Sequence, residues 1–170
     1  DKSIIRKIST ERFSLQIADL IIRKNNLAPA IDQSSKKLNN MKVLVAEDIP
    51  TNQQIILALL ESIGITPVIC NNGMKAFQLY VENLLDNNGF DAIIMDCEMP
   101  IQDGFETARQ IRNYENEFSL APINIIALTA HTELSYRQRS MDAGMNIYLT
   151  KPVSLDEMRQ CLSSLDAGKS

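Results

Sequence analysis

From Met41 onward, short apolar runs alternate with stretches of helical periodicity, and this alternation leaves few folds open to the chain. The apolar runs cover residues 42–46, 66–70, 90–95, 123–128 and 146–149. Residues 51–63, 75–85, 105–114, 134–143 and 155–165 space their apolar side chains as helices with one buried face do. Ile55, Ile56, Leu59 and Leu60 show that spacing clearly. Helix ends are marked as well. Thr51-x-x-Gln54 reads as a capping box, Gly64 and Gly144 as stops, and Ser154 as an N-cap. Asp103-Gly104 precedes the third helix, with Glu106 in its first turn. Parallel strands need long crossovers, usually helical, so the pattern predicts a five-stranded parallel sheet with helices on both faces. The runs 43–46, 93–95 and 125–128 are nearly all apolar, as strands covered on both sides are.

Composition narrows the class further. Of 170 residues, 45% are hydrophobic and 22% charged, which excludes a wholly disordered or fibrous chain and supplies a core. Mean hydropathy is −0.11, and no apolar run approaches the roughly 18–20 residues of a membrane span. The first residue is Asp1, which reads as a fragment of a longer chain whose targeting segments would lie elsewhere. Residues 1–40 carry eight Lys/Arg and four Asp/Glu, a net +4; residues 41–170 carry nine and seventeen, a net −8. The acidic part is a poor surface for nucleic acid. The basic head contains Ile4 and Ile8 at helical spacing but Phe13, Leu15 and Ile17 at strand spacing, so its fold stays open. Residues 29–40 are polar. The expectation is a linker or the end of an upstream domain over residues 1–40, and one domain over residues 41–166. Cys70, Cys97 and Cys161 are odd in number and widely spaced, which argues against a zinc site or disulfide framework and for reduced thiols in a cytoplasmic setting.

In doubly wound sheets ligands sit at the carboxyl ends of the strands, near the point where strand order reverses. The residues at those ends are therefore informative. Glu47 and Asp48 follow the first strand, Asp96 the third, Thr129 the fourth, and Lys151-Pro152 the fifth. With the order 2-1-3-4-5, the first and third strands are neighbours, and three carboxylates meet in one crevice. Such a cluster repels itself unless a cation neutralises it, and Mg²⁺ takes carboxylates together with phosphate oxygens and water. A carboxylate is also a competent nucleophile toward phosphorus. Lys151 and Thr129 supply a positive charge and a hydroxyl for phosphoryl oxygens.

The segments Val43-Leu-Val-Ala-Glu-Asp48, Ile94-Met-Asp-Cys-Glu-Met-Pro100, Asp103-Gly104, Leu128-Thr-Ala130 and Lys151-Pro152 resemble the receiver (response-regulator) family of two-component signalling. The likeness extends from about Met41 to Leu165. Its flavour is that of receivers attached to hybrid histidine kinases, notably in Asp103-Gly-Phe-Glu106 and Leu128-Thr-Ala-His131. The resemblance implies a flavodoxin-like, doubly wound sheet of order 2-1-3-4-5. It implies Asp96 as phosphoacceptor, Asp48 as a direct Mg²⁺ ligand, Glu47 as a residue that helps hold the ion, and the Glu98 backbone carbonyl as a further ligand. It implies Lys151 and Thr129 as phosphoryl contacts, Thr129 and Tyr148 as switch residues, and a cis Lys151-Pro152 bond. Glu98 and His131 occupy positions that tune phosphoryl lifetime in the family; for His131 a partly exposed loop residue is the favoured reading.

The function so implied is that of a phosphoacceptor in a phosphorelay, not an enzyme with its own turnover. The donor is a histidine kinase or histidine phosphotransfer domain, since His131, the one histidine, sits within the domain itself. A downstream protein would meet the face made by the fourth helix, fifth strand and fifth helix, with no direct nucleic acid or membrane contact. Three rivals stand beside this reading. An aspartate-nucleophile phosphatase would resemble Asp-x-Asp after the first strand, where Glu47-Asp48 stands. A flavodoxin-like nucleotide binder would want a glycine-rich phosphate loop, but the six glycines are scattered. A degenerate receiver would serve only as a protein-docking module.

Overall fold

The computed structural model describes residues 38–166. The expectation for the basic head therefore lies outside the described residues, apart from its last three. Of these, Leu38 is buried in the core, and its carbonyl accepts the Met41 N–H at 3.0 Å.

Ten elements follow in strict alternation: β1 (Val43–Ala46), α1 (Pro50–Ser62), β2 (Val68–Cys70), α2 (Gly73–Leu85), β3 (Ala92–Asp96), α3 (Gly104–Glu117), β4 (Asn124–Thr129), α4 (Leu134–Asp142), β5 (Ile147–Thr150) and α5 (Leu155–Asp166). The strands form one parallel sheet in the order β2-β1-β3-β4-β5, as expected. β1 and β3 are neighbours, with Ala46 level with Met95, so the residues just beyond them share one end of the sheet. β3 and β4 pair through Asp96 and Leu128, and β4 and β5 through Thr129 and Thr150.

Strand side chains alternate between the two faces, and the core divides accordingly. Val43, Val45, Ile94 and Ile126 pack with Leu59 of α1 and Met158 and Leu162 of α5. Leu44, Ile93, Met95 and Ile125 pack with Tyr80 of α2 and Phe105 and Ile111 of α3. Each fully buried Ile or Leu contributes about 1.5–3 kcal/mol, so the central strands anchor both layers. At the amino end of the sheet a buried polar knot closes the second layer. Glu115 accepts from the Tyr80 hydroxyl at 3.1 Å, the Ile123 N–H at 2.6 Å and Arg112 at 2.6 Å. The three cysteines are buried as free thiols, which burial pushes up to about 11.

Most helix signals act as read. Gly64 (φ +88) and Gly144 (φ +91) adopt the left-handed conformation that ends a helix. Each belongs to a Schellman motif: Gly64 N–H bonds Glu61 and Ile65 N–H bonds Leu60, while Gly144 N–H bonds Met141 and Met145 N–H bonds Ser140. Asp103 Oδ1 caps α3 by accepting from Glu106 N–H at 2.7 Å. Ser154 and Glu157 make a reciprocal capping box at α5. The box expected at Thr51 does not form. α1 starts one residue earlier, with Pro50 in its first turn and Ile49 as an N-cap that makes no side-chain bond. Proline has φ preset for that position and no N–H to satisfy. The Ile49 N–H is instead taken by Glu47 Oε1 at 3.1 Å, so the turn into α1 is closed by a site residue. The third strand begins at Ala92 because Asp91 first clamps Lys42: Asp91 Oδ2 accepts the Lys42 N–H and Asp91 N–H bonds the Lys42 carbonyl.

Candidate functional site

The carboxyl ends of β1, β3 and β5 bring Glu47, Asp48, Asp96 and Lys151 together. Carboxylate oxygens of Glu47, Asp48 and Asp96 lie within 4.8 Å of one another. Lys151 Nζ sits between two of them, 2.7 Å from Glu47 Oε2 and 2.9 Å from Asp96 Oδ2. Glu47 is 0% exposed and Asp96 4%. The other Glu47 oxygen accepts from Asn52 Nδ2 at 3.1 Å as well as from the Ile49 N–H, and Gln53 Nε2 donates to the Glu47 carbonyl at 2.6 Å. Glu47 is thereby held rigidly by its own turn into α1. The remaining Asp96 oxygen, Oδ1, accepts from the Glu98 N–H at 3.1 Å.

Asp48 differs from both. Its Oδ1 is buried and has no hydrogen-bond partner among the described residues. An unpaired buried carboxylate oxygen costs free energy unless something outside the protein satisfies it. With two further carboxylates beside it, the chemistry wanted there is that of a hard divalent cation.

The electrostatics agree with the crowding. Burial pushes the Asp96 carboxyl up to about 6, against the pull of Lys151, and Glu47 adds to the rise. Burial also raises Asp48, with Glu47 contributing. For Lys151 burial acts downward, but the Asp96 and Glu47 carboxylates outweigh it and hold the ammonium above its ordinary value. One cation is thus paired with two of the three acids.

Thr129 ends β4 with its side chain buried and its Oγ1 accepting the His131 N–H at 3.1 Å. Its carbonyl takes the Lys151 N–H at 2.7 Å, which fixes the spacing between these two residues. The Lys151-Pro152 bond is cis. Tyr148 is half-buried, and its hydroxyl donates to the His131 carbonyl. Glu98 and His131 come together at the mouth, but the Glu98 carboxylate turns toward α4. Its Oε1 accepts from His131 Nε2 and from the Tyr136 hydroxyl, each at 3.0 Å. His131 is partly exposed, as expected, and stacks on the Tyr136 ring.

Three participants escaped the sequence reading. Asn52 and Gln53 follow Glu47 by five and six residues, within the polar run 51–54 that opens α1, and that run beside a strand-end acid was an available signal. Tyr136 had none, because its partner Glu98 is 38 residues away.

The loop after β3 is shaped tightly. Ile101 (φ +72) is the centre of a γ-turn closed by the Gln102 N–H on the Pro100 carbonyl at 2.8 Å. Gly104 lets α3 begin directly against the phosphoacceptor candidate. A Cβ there would stand 2.2 Å from the Asp96 carbonyl oxygen, which is backbone and unable to yield. Gly104→Ala is expected to destabilise the domain by about 2 kcal/mol or more. It should also weaken divalent-cation binding by displacing Asp96. Chemical denaturation and a metal titration check both; unchanged metal affinity in a destabilised variant would separate Gly104 from the site.

A model for the response regulator receiver domain matches residues 43–163. Among curated proteins, hybrid signal transduction histidine kinase E of Dictyostelium discoideum is 36% identical over 119 residues, 70% of this chain and 7% of that protein. Sensor histidine kinase GacS of Pseudomonas protegens is 32% identical over 152 residues, 89% of this chain and 16% of that protein. The chain thus spans only a small part of the curated relatives it matches. Among solved structures, the receiver domain of the Arabidopsis thaliana histidine kinase CKI1 complexed with Mg²⁺ and BeF₃⁻ superposes with TM-score 0.68 at 26% identity, covering 79% of this chain and 95% of that one. The receiver domain of Pseudomonas aeruginosa sensor histidine kinase PA1611, with magnesium in its active-site cleft, gives 0.65 at 34% identity, covering 75% and 98%. The Saccharomyces cerevisiae Ssk1 receiver in complex with the histidine phosphotransfer protein Ypd1 gives 0.66 at 30% identity, covering 75% and 89%.

Proposed function

The chain belongs to the response regulator receiver domain family, and on that premise we propose that it accepts a phosphoryl group on Asp96 from a phosphohistidine and so switches a protein-binding face. The observation that carries this reading is the arrangement of Lys151 between Glu47 and Asp96, with an unpaired oxygen of Asp48 beside them. Residues 41–166 act as the receiver, and residues 1–40 as a linker or the end of an upstream domain. The donor is a histidine kinase or a histidine phosphotransfer domain, consistent with the complex of the Ssk1 receiver with Ypd1.

The residues fit a magnesium ion, as found in the receivers of PA1611 and CKI1. Asp48, Asp96 and the Glu98 backbone carbonyl would hold it, with Glu47 assisting; bound there, it supplies charge neutralisation for the transferring phosphoryl. The rest of the chemistry belongs to the chain. An Asp96 oxygen forms the new P–O bond while the P–N bond to the donor imidazole breaks and its electron pair stays on that nitrogen. The Lys151 ammonium, already 2.9 Å from Asp96, donates to a phosphoryl oxygen. The Thr129 hydroxyl uses its oxygen to accept from His131, which leaves its own proton free to donate to the phosphoryl. When Thr129 turns inward, the His131 backbone loses that partner, and the Tyr148 hydroxyl bond to the His131 carbonyl goes with it. Tyr148 then moves inward and the α4-β5-α5 face changes. Glu98 and His131, at the mouth, tune how long the phosphoryl survives. The shift is as large as the differential affinity of phosphoryl for the two states, and no larger.

Such a module consumes no substrate of its own. Its downstream partner is a protein that meets the α4-β5-α5 face, the acidic domain being a poor surface for nucleic acid. A cytoplasmic location, or the cytoplasmic part of a membrane-bound sensor, suits a phosphohistidine donor. Among the described residues no helix is long and apolar enough to cross a membrane.

Incubation with a small acyl phosphate or a phosphorylated histidine phosphotransfer protein, with Mg²⁺, is expected to add one phosphoryl by intact mass. Asp96→Asn and chelator should each abolish the gain. A folded wild-type chain that no donor labels would instead be a docking module.

A further inference from the structure

Of the five described helices, α4 has the weakest hold on the core. Ser140 is its one buried residue, and its N-cap Glu133 makes no side-chain cap bond. What fastens it is a set of contacts from one face to the segment that follows β3. Tyr136 and Arg139 stand three apart and so share that face. The Tyr136 hydroxyl donates to Glu98 Oε1 at 3.0 Å, and its ring packs on Phe105 with centroids 6.1 Å apart. The Arg139 guanidinium lies 4.0 Å above the Phe105 ring and 3.7 Å from Asp103 Oδ2. His131 completes the set: its Nε2 donates to the same Glu98 oxygen, and its ring stacks on Tyr136 at 4.0 Å and 14°.

Glu98 is the centre of this arrangement and also adjoins the phosphoacceptor, since its N–H is bonded to Asp96 Oδ1. Its carboxylate adds negative charge beside the three acids that converge there. Two donors on one oxygen keep that charge turned toward α4 and away from the three converging carboxylates.

We propose that Tyr136 is a positioning residue that, with His131, holds the Glu98 carboxylate out of the phosphorylation pocket and thereby latches α4 to the segment carrying Asp96. The latch is a second link between pocket and output face, beside the one through Thr129 and Tyr148, and it rests on Asp96 being the phosphoacceptor. Released, the Glu98 carboxylate would swing across the mouth and repel an incoming anionic phosphodonor.

Tyr136→Phe removes the hydroxyl and keeps both ring contacts. Its effect is read in the wild-type and Glu98→Ala backgrounds, as a double-mutant cycle. With acetyl phosphate as donor and Mg²⁺ present, Tyr136→Phe is expected to slow labelling about two- to fivefold in the wild-type background and not at all with Glu98→Ala. In the metal-free protein, amides of residues 134–140 should exchange faster by a similar factor in each single variant, and no faster in the double one. Equal effects of Tyr136→Phe in both backgrounds would overturn the proposal, because Tyr136 would then act through packing alone. Unchanged exchange in the single variants would also overturn it. An exchange cycle that holds while the wild-type chain takes no phosphoryl would support the latch and sink the phosphoacceptor reading instead.

Discussion

Lys151→Ala is expected to cost about 3 kcal/mol of stability near pH 8, roughly a 10 °C fall in Tm for a domain of this size, and much less near pH 5. The side chain is the shared cation of the site, 2.7 Å from Glu47 and 2.9 Å from Asp96. Glu47 is fully buried, so removing its ion partner leaves a charge with nowhere to go. The raised pKa of Lys151 means that its contribution is complete at neutral pH and is lost only as pH climbs through that raised value. The pH dependence of the variant comes from the acids. Without the ammonium, Asp96 holds its proton to higher pH, so stability falls as pH rises and the proton leaves. Added Mg²⁺ should restore part of the loss. Denaturant melts at both pH values, with and without Mg²⁺, provide the check. A loss equal at the two pH values and insensitive to Mg²⁺ would mean that the lysine stem, through packing, is what matters.

Asp96→Asn should do the opposite and stabilise the metal-free protein. Burial pushes this carboxyl up to about 6 in the folded state, above its ordinary value of 3.8. The folded state therefore binds the proton more tightly than the unfolded one. Stability from this group declines as pH rises from about 4 through 6, and the full cost is present above that. An amide has no charge to desolvate and still accepts from Lys151. The expected gain at neutral pH in chelator is on the order of 2 kcal/mol, vanishing below about pH 4. Mg²⁺ should narrow the gap by stabilising the wild type through binding. Thermal melts across that range decide it: a variant that is less stable than wild type at neutral pH would show that the Lys151 pairing outweighs the burial of the charge.

Much of this site was legible before any coordinates, for a definite reason. In a parallel sheet the loops at the carboxyl ends lie on one side, so residues far apart in the chain fall together once strand order is known. Glu47, Asp48, Asp96, Thr129 and Lys151 each follow or end a strand, and the structure brings Glu47, Asp48, Asp96 and Lys151 into direct contact range, with Thr129 fixed to Lys151 through the backbone. Local signals served less evenly. Gly64, Gly144 and Ser154 act as read, because each works through bonds within a few residues of itself. The capping box at Thr51 failed because Pro50 enters the first turn and moves the N-cap back to Ile49, whose N–H Glu47 accepts. Ile101 at φ +72 runs against what a β-branched residue prefers, and only the fixed ends of its loop impose it.

The amino-acid sequence by itself determined the alternation of elements and the residue types that follow the strands. These follow from periodicity and chain connectivity, which are properties of the sequence. Tertiary structure alone decided where the side chains point once assembled: the sharing of Lys151 between two acids, the unpaired Asp48 oxygen, and the turning of Glu98 toward Tyr136 and His131. Those outcomes depend on distances between residues tens of positions apart, and on which of several competing partners a buried charge meets first.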